Sequence, residues 1–388
     1  MINEYPGRTA LVMRFSALGD IAMSIPALYD ACRSCPGTRF VYLTRKHPAC
    51  LFINAPANLT VVGVDFRRYK GFGGMRRLFS EIRREYGIDT VVDLHDVLRT
   101  KTLRWLFRLA GARVAHIRKG RAEKRRLTRR RDKILLQLEP TAERYADTFR
   151  RAHICAGRGF RSVFGDGKGP EAAFSRAAAP KAPHERWIAI APFAKHPGKI
   201  YPPEMMRKVT DALASEPDTR IFLFGAGEKE KAVLSEWASG KGNVVNMAEA
   251  DIGLPSELAL LSHCDVMVSM DSANMHLASL VGLKTVSVWG ATHPFAGFMG
   301  FGQSADRAVQ LDMICRPCSV FGDKPCFRGD YNCLHGIPPS LILSHIGKAL
   351  GRQPDPSRLL TAARTRSTIP VLPENPEIVR SANPKIPK

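Results

Sequence analysis

Short apolar runs alternate along this chain with longer stretches of helical periodicity. Thr9–Phe15, Arg39–Leu43, Thr60–Val64 and Thr90–Leu94 are each rich in Val, Leu and Thr. They are too short for buried helices and too continuously apolar for half-exposed strands, so each predicts a strand covered on both faces. Between them lie helical stretches. One starts at Asp20 and ends near Pro36-Gly37, one runs over Arg76–Glu85 with Gly87 as its stop, and one covers Val97–Ala110. A further helical stretch, Thr141–Ala156, follows a strongly basic segment.

Over Gly157–His184 the periodicity fades into Gly, Ala, Pro and Arg, which marks a linker. The alternation then resumes. Trp187–Ala191, Ile221–Phe224, Asn243–Asn246, Asp265–Met270 and Thr285–Trp289 read as strands. Pro202–Glu216, Glu228–Ala238, Pro255–His263 and Asn274–Val281 read as the helices between them. Two successive strand–helix arrays predict an α/β protein with two Rossmann-like domains, over residues 1–170 and 185–350, each built on a parallel sheet. From 352 to 388 the chain is proline-rich, and an extended, partly disordered tail without chemistry is expected there.

Length agrees with two cores, since 388 residues exceed one ordinary domain. No apolar run approaches the roughly 18 residues that would cross a bilayer. The first residues also lack a basic region and a cleavage site, so a cytoplasmic location is expected. Charge changes the picture more. The formal net charge is +22, and between Arg118 and Lys133 ten Lys/Arg face two acids. This segment is either a solvated loop or a docking surface for an anionic partner. Nine cysteines are present. Cys315, Cys318, Cys326 and Cys333 crowd into one stretch whose spacing permits a structural zinc, although the second pair is not a CxxC.

Candidate chemistry gathers at strand ends. After the apolar run Val266–Met270 come Asp271, Ser272 and Ala273, and then a helix closed by Gly282. Small residues at a helix start leave backbone N–H groups free to hold a diphosphate, with His276 one turn on. The alternative is ordinary capping. Asp20 ends the first strand's loop, where a carboxylate can take a proton from a hydroxyl or merely cap the helix. Lys199, in a Pro/Gly loop after the strand Trp187–Ala191, can neutralise a leaving diphosphate. Glu228, in Gly225-Ala-Gly-Glu228, is placed to bond ribose hydroxyls.

In order, Arg14-Phe-Ser-Ala-Leu-Gly-Asp20, Asp93-Leu-His-Asp-Val-Leu-Arg99, Lys199-Ile-Tyr-Pro202, Asp271-Ser-Ala-Asn-Met-His276 and Val288-Trp-Gly-Ala-Thr-His-Pro294 resemble glycosyltransferase family nine, the lipopolysaccharide heptosyltransferases. The resemblance spans about residues 9 to 350. It implies a GT-B fold, with an N-terminal acceptor domain and a C-terminal donor domain. It implies inverting transfer of a heptose from an ADP donor to a lipopolysaccharide-type saccharide, without an obligatory metal. By position, Asp20 corresponds to the catalytic base and Lys199 to the lysine on the donor phosphates. Asp271, Ser272, Ala273 and His276 correspond to the donor loop, Glu228 (with Glu230 as competitor) to the ribose acid, and Arg99 to an acceptor contact. The sequence departs from the family at Ser272-Ala273, where Thr-Gly is frequent, and at His95-Asp96, where Gln-Gly is usual. The resemblance further implies an anionic glycolipid acceptor and peripheral contact with the inner membrane face. Another nucleotide-sugar donor is the alternative. A nucleic-acid-binding protein using segment 118–133 is a further one, although that run lacks interleaved aromatics.

Overall fold

In the computed structural model of the protein, which describes residues 7–352, the strands form two separate, wholly parallel sheets. The first array comprises β1 (Thr9–Met13), α1 (Leu18–Ser34), β2 (Arg39–Arg45), β3 (Leu59–Val64), α2 (Gly71–Tyr86), β4 (Thr90–Asp93), α3 (Leu98–Leu109), β5 (Arg113–His116), α4 (Arg121–Thr128) and α5 (Thr141–Arg151). The second comprises β6 (Arg186–Ala191), α6 (Pro203–Ala214), β7 (Thr219–Leu223), α7 (Gly227–Ala238), β8 (Val244–Asn246), α8 (Met247–Ala250), α9 (Leu254–His263), β9 (Val266–Met270), α10 (Ala273–Leu280), β10 (Thr285–Val288), β11 (Ala308–Val309), α11 (Asn332–His335) and α12 (Pro339–Ala349).

The sheet orders are β3-β2-β1-β4-β5 and β11-β10-β9-β6-β7-β8. In each, the first strand of the array lies inside the sheet, and the order reverses beside it. Loops on either side of such a reversal splay apart and leave a crevice at the carboxyl edge. Register places the residues around it: Met13 pairs with Asp93, Ala191 with Ser269 and Met270 with Val288.

Each sheet carries helices on both faces. One side of the first sheet buries Met75, Leu78 and Ile82 of α2 with Leu103 and Phe107 of α3. One side of the second buries Met206, Val209 and Leu213 of α6 with Ile342 and Ile346 of α12. The other two sides share a single core running from Ala10 and Tyr42 through α1 and α5 to Trp187, Phe222, α9 and Leu277. α1 is buried almost all round, from Ile21 through Cys32, as expected of a helix without a polar face. It is sandwiched between the two arrays.

Strand and helix expectations hold with ends shifted by a few residues. α2 begins five residues earlier than its periodicity suggested, because Gly71, Phe72, Gly73 and Gly74 give no apolar stripe. Six elements went unread: β5, a short edge strand with only Ala115 fully inside; α4, whose eight residues include five charges; and, in the second array, the short α8, β11 and α11 and the helix α12. The stretch 157–184 is irregular apart from a 3-10 turn at Glu171–Phe174. The tail expectation lies outside the described residues.

Candidate functional site

The approach of α1 to α10 builds the site. Gly19 sits in the first turn of α1, and a Cβ added there would lie 2.7 Å from His276 Cδ2 and 3.2 Å from the Ala273 Cα. Only a glycine facing a small residue lets two helix N-termini meet so closely. This contact carries Asp20, the next residue, from the first array to the donor-loop residues of the second.

Asp20 is held from two sides. Arg14 Nη2 lies 2.7 Å from its Oδ2, and the Ala17 N–H donates to the same oxygen at 3.3 Å. Burial by itself would raise the carboxyl's pKa. The adjacent Arg14 charge, the Ala17 N–H and His276 outweigh it and hold Asp20 below its ordinary value. Asp20 therefore stands ionised at neutral pH and ready to accept a proton. Its carboxylate closes the first turn of α1 and also lines the crevice. Arg14 is itself buried, donates to the Leu94 carbonyl and lies 5.5 Å from the Tyr145 ring.

On the second array Lys199 ends a 3-10 turn at Pro197–Lys199, and its Nζ lies 2.9 Å from Asp271 Oδ2. Asp271 is almost wholly buried, so this ion pair compensates its charge. Ser272 occupies the N-cap of α10 but makes no side-chain cap bond; its hydroxyl lies 3.2 Å from that of Ser269. Ordinary capping is thus not what Asp271 and Ser272 do, and the first backbone N–H groups of α10 meet no capping side chain. His276 is buried with its Nδ1 unpartnered. Burial lowers its pKa to about 4, so the ring is neutral at working pH. Asp271 and Asp20 both act on its charge.

The four-cysteine stretch supports this centre mechanically. A Cβ on Gly322 would come within 2.6 Å of Lys199 Cγ, and the Gly198 N–H donates to the Gly322 carbonyl at 3.3 Å. Buried Arg316 donates to the carbonyls of Trp289 at 3.1 Å and Thr292 at 2.9 Å, pinning the Val288–Pro294 run. Among the described residues no three or more Cys, His, Asp or Glu side chains gather closely enough to hold an ion. Cys333 is turned into the second sheet's core, Cys318 Sγ faces the Ala291 carbonyl at 3.9 Å and Cys326 Sγ faces Asp330 at 3.8 Å. All nine cysteines are free.

Beside Asp20 opens a cavity of about 470 Å³, lined on one side by Arg14, Lys119, Arg121, Lys124, Arg125, Arg144 and Tyr145, and on the other by Phe298, Val320, Phe321 and Lys324. The basic segment is therefore partly a wall of this cavity and not a free loop. Its helix α4 starts after left-handed Gly120 and is anchored by buried Leu127 and by Lys124 Nζ, 4.2 Å from the Phe298 ring centroid. Burial and the neighbouring Arg144 lower the Lys124 pKa to about 8.

The expected site residues do not all converge. Arg99 lines a different cavity, also about 470 Å³, with Arg45, Lys46, Arg67 and Lys70, its guanidinium 5.3 Å from the Phe66 ring centroid. Glu228 is exposed in the first turn of α7, whereas Glu230 accepts the Ala226 N–H at 2.8 Å. Glu230 thus caps the helix, which leaves Glu228 the freer acid. His95 packs under the site, its Nδ1 accepting the Phe15 N–H at 3.3 Å, with burial and Arg14 lowering it to about 3. Sequence reading missed Arg14, Lys124, Arg144 and Tyr145. Arg14 lay inside a quoted motif, but nothing local to Arg144 or Tyr145 signalled the cavity.

Known proteins share this architecture. Lipopolysaccharide heptosyltransferase 1 of Pseudomonas aeruginosa is 26% identical over 333 residues, 79% of this chain and 85% of the relative. A family 9 glycosyl transferase of Veillonella parvula superposes with a TM-score of 0.66 at 16% identity, covering 89% of this chain and 98% of that one. E. coli heptosyltransferase WaaC, solved with ADP-2-deoxy-2-fluoro heptose, gives a TM-score of 0.61 at 18% identity, covering 88% and 99%. The fold is that of the GT-B heptosyltransferases. The sequence model of glycosyltransferase family 9 (heptosyltransferase) matches residues 75–324, more than half of the chain, and the protein therefore belongs to that family of glycosyltransferases.

Proposed function

We propose that the protein moves a heptose, with inversion, from ADP-heptose to an anionic saccharide of the lipopolysaccharide type. The observation that carries this reading is the meeting of α1 and α10. It puts an ionised carboxylate from one sheet beside the open helix N-terminus and buried Lys199–Asp271 pair of the other. Asp20 takes the proton of the acceptor hydroxyl as that oxygen bonds to the anomeric carbon. The bond from that carbon to the donor phosphate breaks on the opposite face, which inverts the centre. Negative charge growing on the departing diphosphate meets Lys199 and the N–H groups of α10. Neutral His276 adds a polar group without adding charge. Glu228 holds the ribose, and Asp271 both fixes Lys199 and meets the sugar.

Acceptor chemistry follows from the cavity beside Asp20. Its cations suit carboxylates or phosphates, while Phe298 and Phe321 offer apolar faces for sugar rings. ADP as donor is supported by the name of one structural neighbour, E. coli ADP-heptose lps heptosyltransferase II, and by the ADP and ADP-heptose analogue bound in another. Calorimetry with ADP, UDP and GDP, followed by turnover of ADP-heptose on a deacylated anionic acceptor, tests the reading. A clear ADP preference with ADP release is expected. Preference for UDP or GDP would keep sugar transfer but remove heptose from ADP as the reaction.

A further inference from the structure

The two oxygens of the Asp20 carboxylate are not equivalent. Two donors hold it, Arg14 Nη2 at 2.7 Å and the Ala17 N–H at 3.3 Å, and both meet Oδ2. Among the described residues nothing donates to Oδ1, and the side chain, 29% exposed, lines the cavity. A carboxylate oxygen has two lone-pair sites. On Oδ2 both are taken, whereas Oδ1 keeps the free lone pair that accepting a proton requires.

Arg14 is fixed well enough to impose that difference. Its backbone N–H extends the edge of β1, donating to the Leu43 carbonyl at 3.2 Å. Its guanidinium is buried, with Nη1 on the Leu94 carbonyl beyond β4, Nη2 on Asp20 of α1, and the Tyr145 ring of α5 5.5 Å away. A planar guanidinium held by two arms cannot turn without breaking one of them, and a lysine at the same place would supply only a point charge.

The other titratable groups facing Asp20 are Tyr42 of β2, His95 beyond β4, Lys124 of α4, Tyr145 of α5 and His276 of α10. Burial pushes both tyrosines up and pulls His95 to about 3 and His276 to about 4. Burial also brings Lys124 down to about 8. Further cations, Lys119 and Arg144 among them, line the cavity wall. Burial by itself would push the Asp20 carboxyl up, and Arg14 leads the groups that pull it down.

We propose that Arg14 is the positioning residue of the base: it occupies Oδ2 of Asp20 and turns Oδ1 toward the acceptor, so that Oδ1 takes the hydroxyl proton. This rests on reading Asp20 as the base. The proton passes from the acceptor oxygen to Oδ1 while that oxygen bonds to the anomeric carbon. The bond from that carbon to the donor phosphate breaks, and its electron pair leaves on the diphosphate. Arg14 keeps its own protons throughout and does not touch the substrate.

Arg14→Met and Arg14→Lys separate charge from orientation. The assay is ADP release from ADP-heptose with a deacylated anionic acceptor, followed across the acid range. R14M should move the acid limb of kcat/KM up by about 1–3 pH units, the effect of removing an opposite charge beside a carboxylate. R14K keeps the charge, so its limb should stay with the parent's. Its kcat should nevertheless fall about tenfold or more, because one ammonium no longer fixes the carboxylate plane. Arg14 also lowers His95, so R14M is repeated together with His95→Gln, and the same shift there assigns it to Asp20. ADP affinity by calorimetry should match the parent's in every variant, because Lys199 and α10 are untouched. If R14M fails to fold, the split between limb and kcat in R14K decides. A limb that R14M leaves in place, a shift that vanishes with His95→Gln, or a parent-like kcat in R14K overturns the proposal while leaving Asp20 as the base. A parent that releases no ADP with the acceptor, or a D20N variant as active as the parent, overturns the reading of Asp20 and the role of Arg14 with it.

Discussion

Replacing Asp20 with Asn changes one carboxylate oxygen to an amide and removes the only group at the end of α1 able to take a proton. General-base catalysis by a positioned side chain is worth about 10²- to 10⁴-fold, or about 3–5 kcal/mol of barrier at roughly 1.4 kcal/mol per decade. The same substitution leaves Arg14 buried without its counter-charge. The guanidinium keeps the Leu94 carbonyl and the Tyr145 ring, and Asp20 is 29% exposed, so water offsets part of the loss. A stability cost of about 1–3 kcal/mol is expected, the scale of one hydrogen bond to a charged group. Lys199 and α10 are untouched, so ADP affinity should stay within about twofold of the parent's. The assay couples ADP release to turnover with saturating ADP-heptose and a deacylated acceptor. Calorimetry with ADP and a melting curve run in parallel. A D20N enzyme turning over within tenfold of the parent would refute the base assignment. Loss of ADP binding along with turnover would instead show that Asp20 acts through the packing of α1 on α10.

Other outcomes follow from the same geometry. Gly19→Ala should destabilise by about 1–3 kcal/mol through overpacking, because its Cβ meets His276 and Ala273; a melting temperature equal to the parent's would contradict the close approach. Lys199→Ala should cut turnover and also strand buried Asp271, at about 3–5 kcal/mol, with Lys199→Arg restoring part of the stability. A variant that loses activity without a fall in melting temperature would mean that Asp271 does not depend on this lysine. Lys124, with its pKa lowered to about 8, is charged below that pH and neutral above it. The acceptor KM should therefore rise as pH increases through about 8 while the donor KM does not, and Lys124→Met should flatten that rise.

Much of the fold could be read directly. Strands covered on both faces must be continuous apolar runs of four to seven residues, so β1, β2, β4, β6, β9 and β10 announced themselves within a residue or two. The loops leaving β1, β6 and β9 were also legible, because chemistry at the carboxyl edge of a parallel sheet requires polar residues just after an apolar run. Asp20, Lys199 and Asp271 each follow one.

What required tertiary structure was every relation between residues far apart in the chain. Nothing local pairs Lys199 with Asp271 or brings Gly19 against Ala273; the folded arrays decide that. α4 looked like a solvated loop because its charge obscures any apolar stripe. It is a helix whose Leu127 is buried and whose Lys124 lies over Phe298. Arg99 and Asp20 both stand at strand ends, yet α3 carries Arg99 into a different cavity. Cysteine spacing allowed a metal, but side-chain direction, which spacing does not encode, turns Cys333 inward and Cys326 toward Asp330. Sequence determined which residue types stand at each strand end, because burial dictates that pattern locally. Only the packing of one array on the other decided which of them meet.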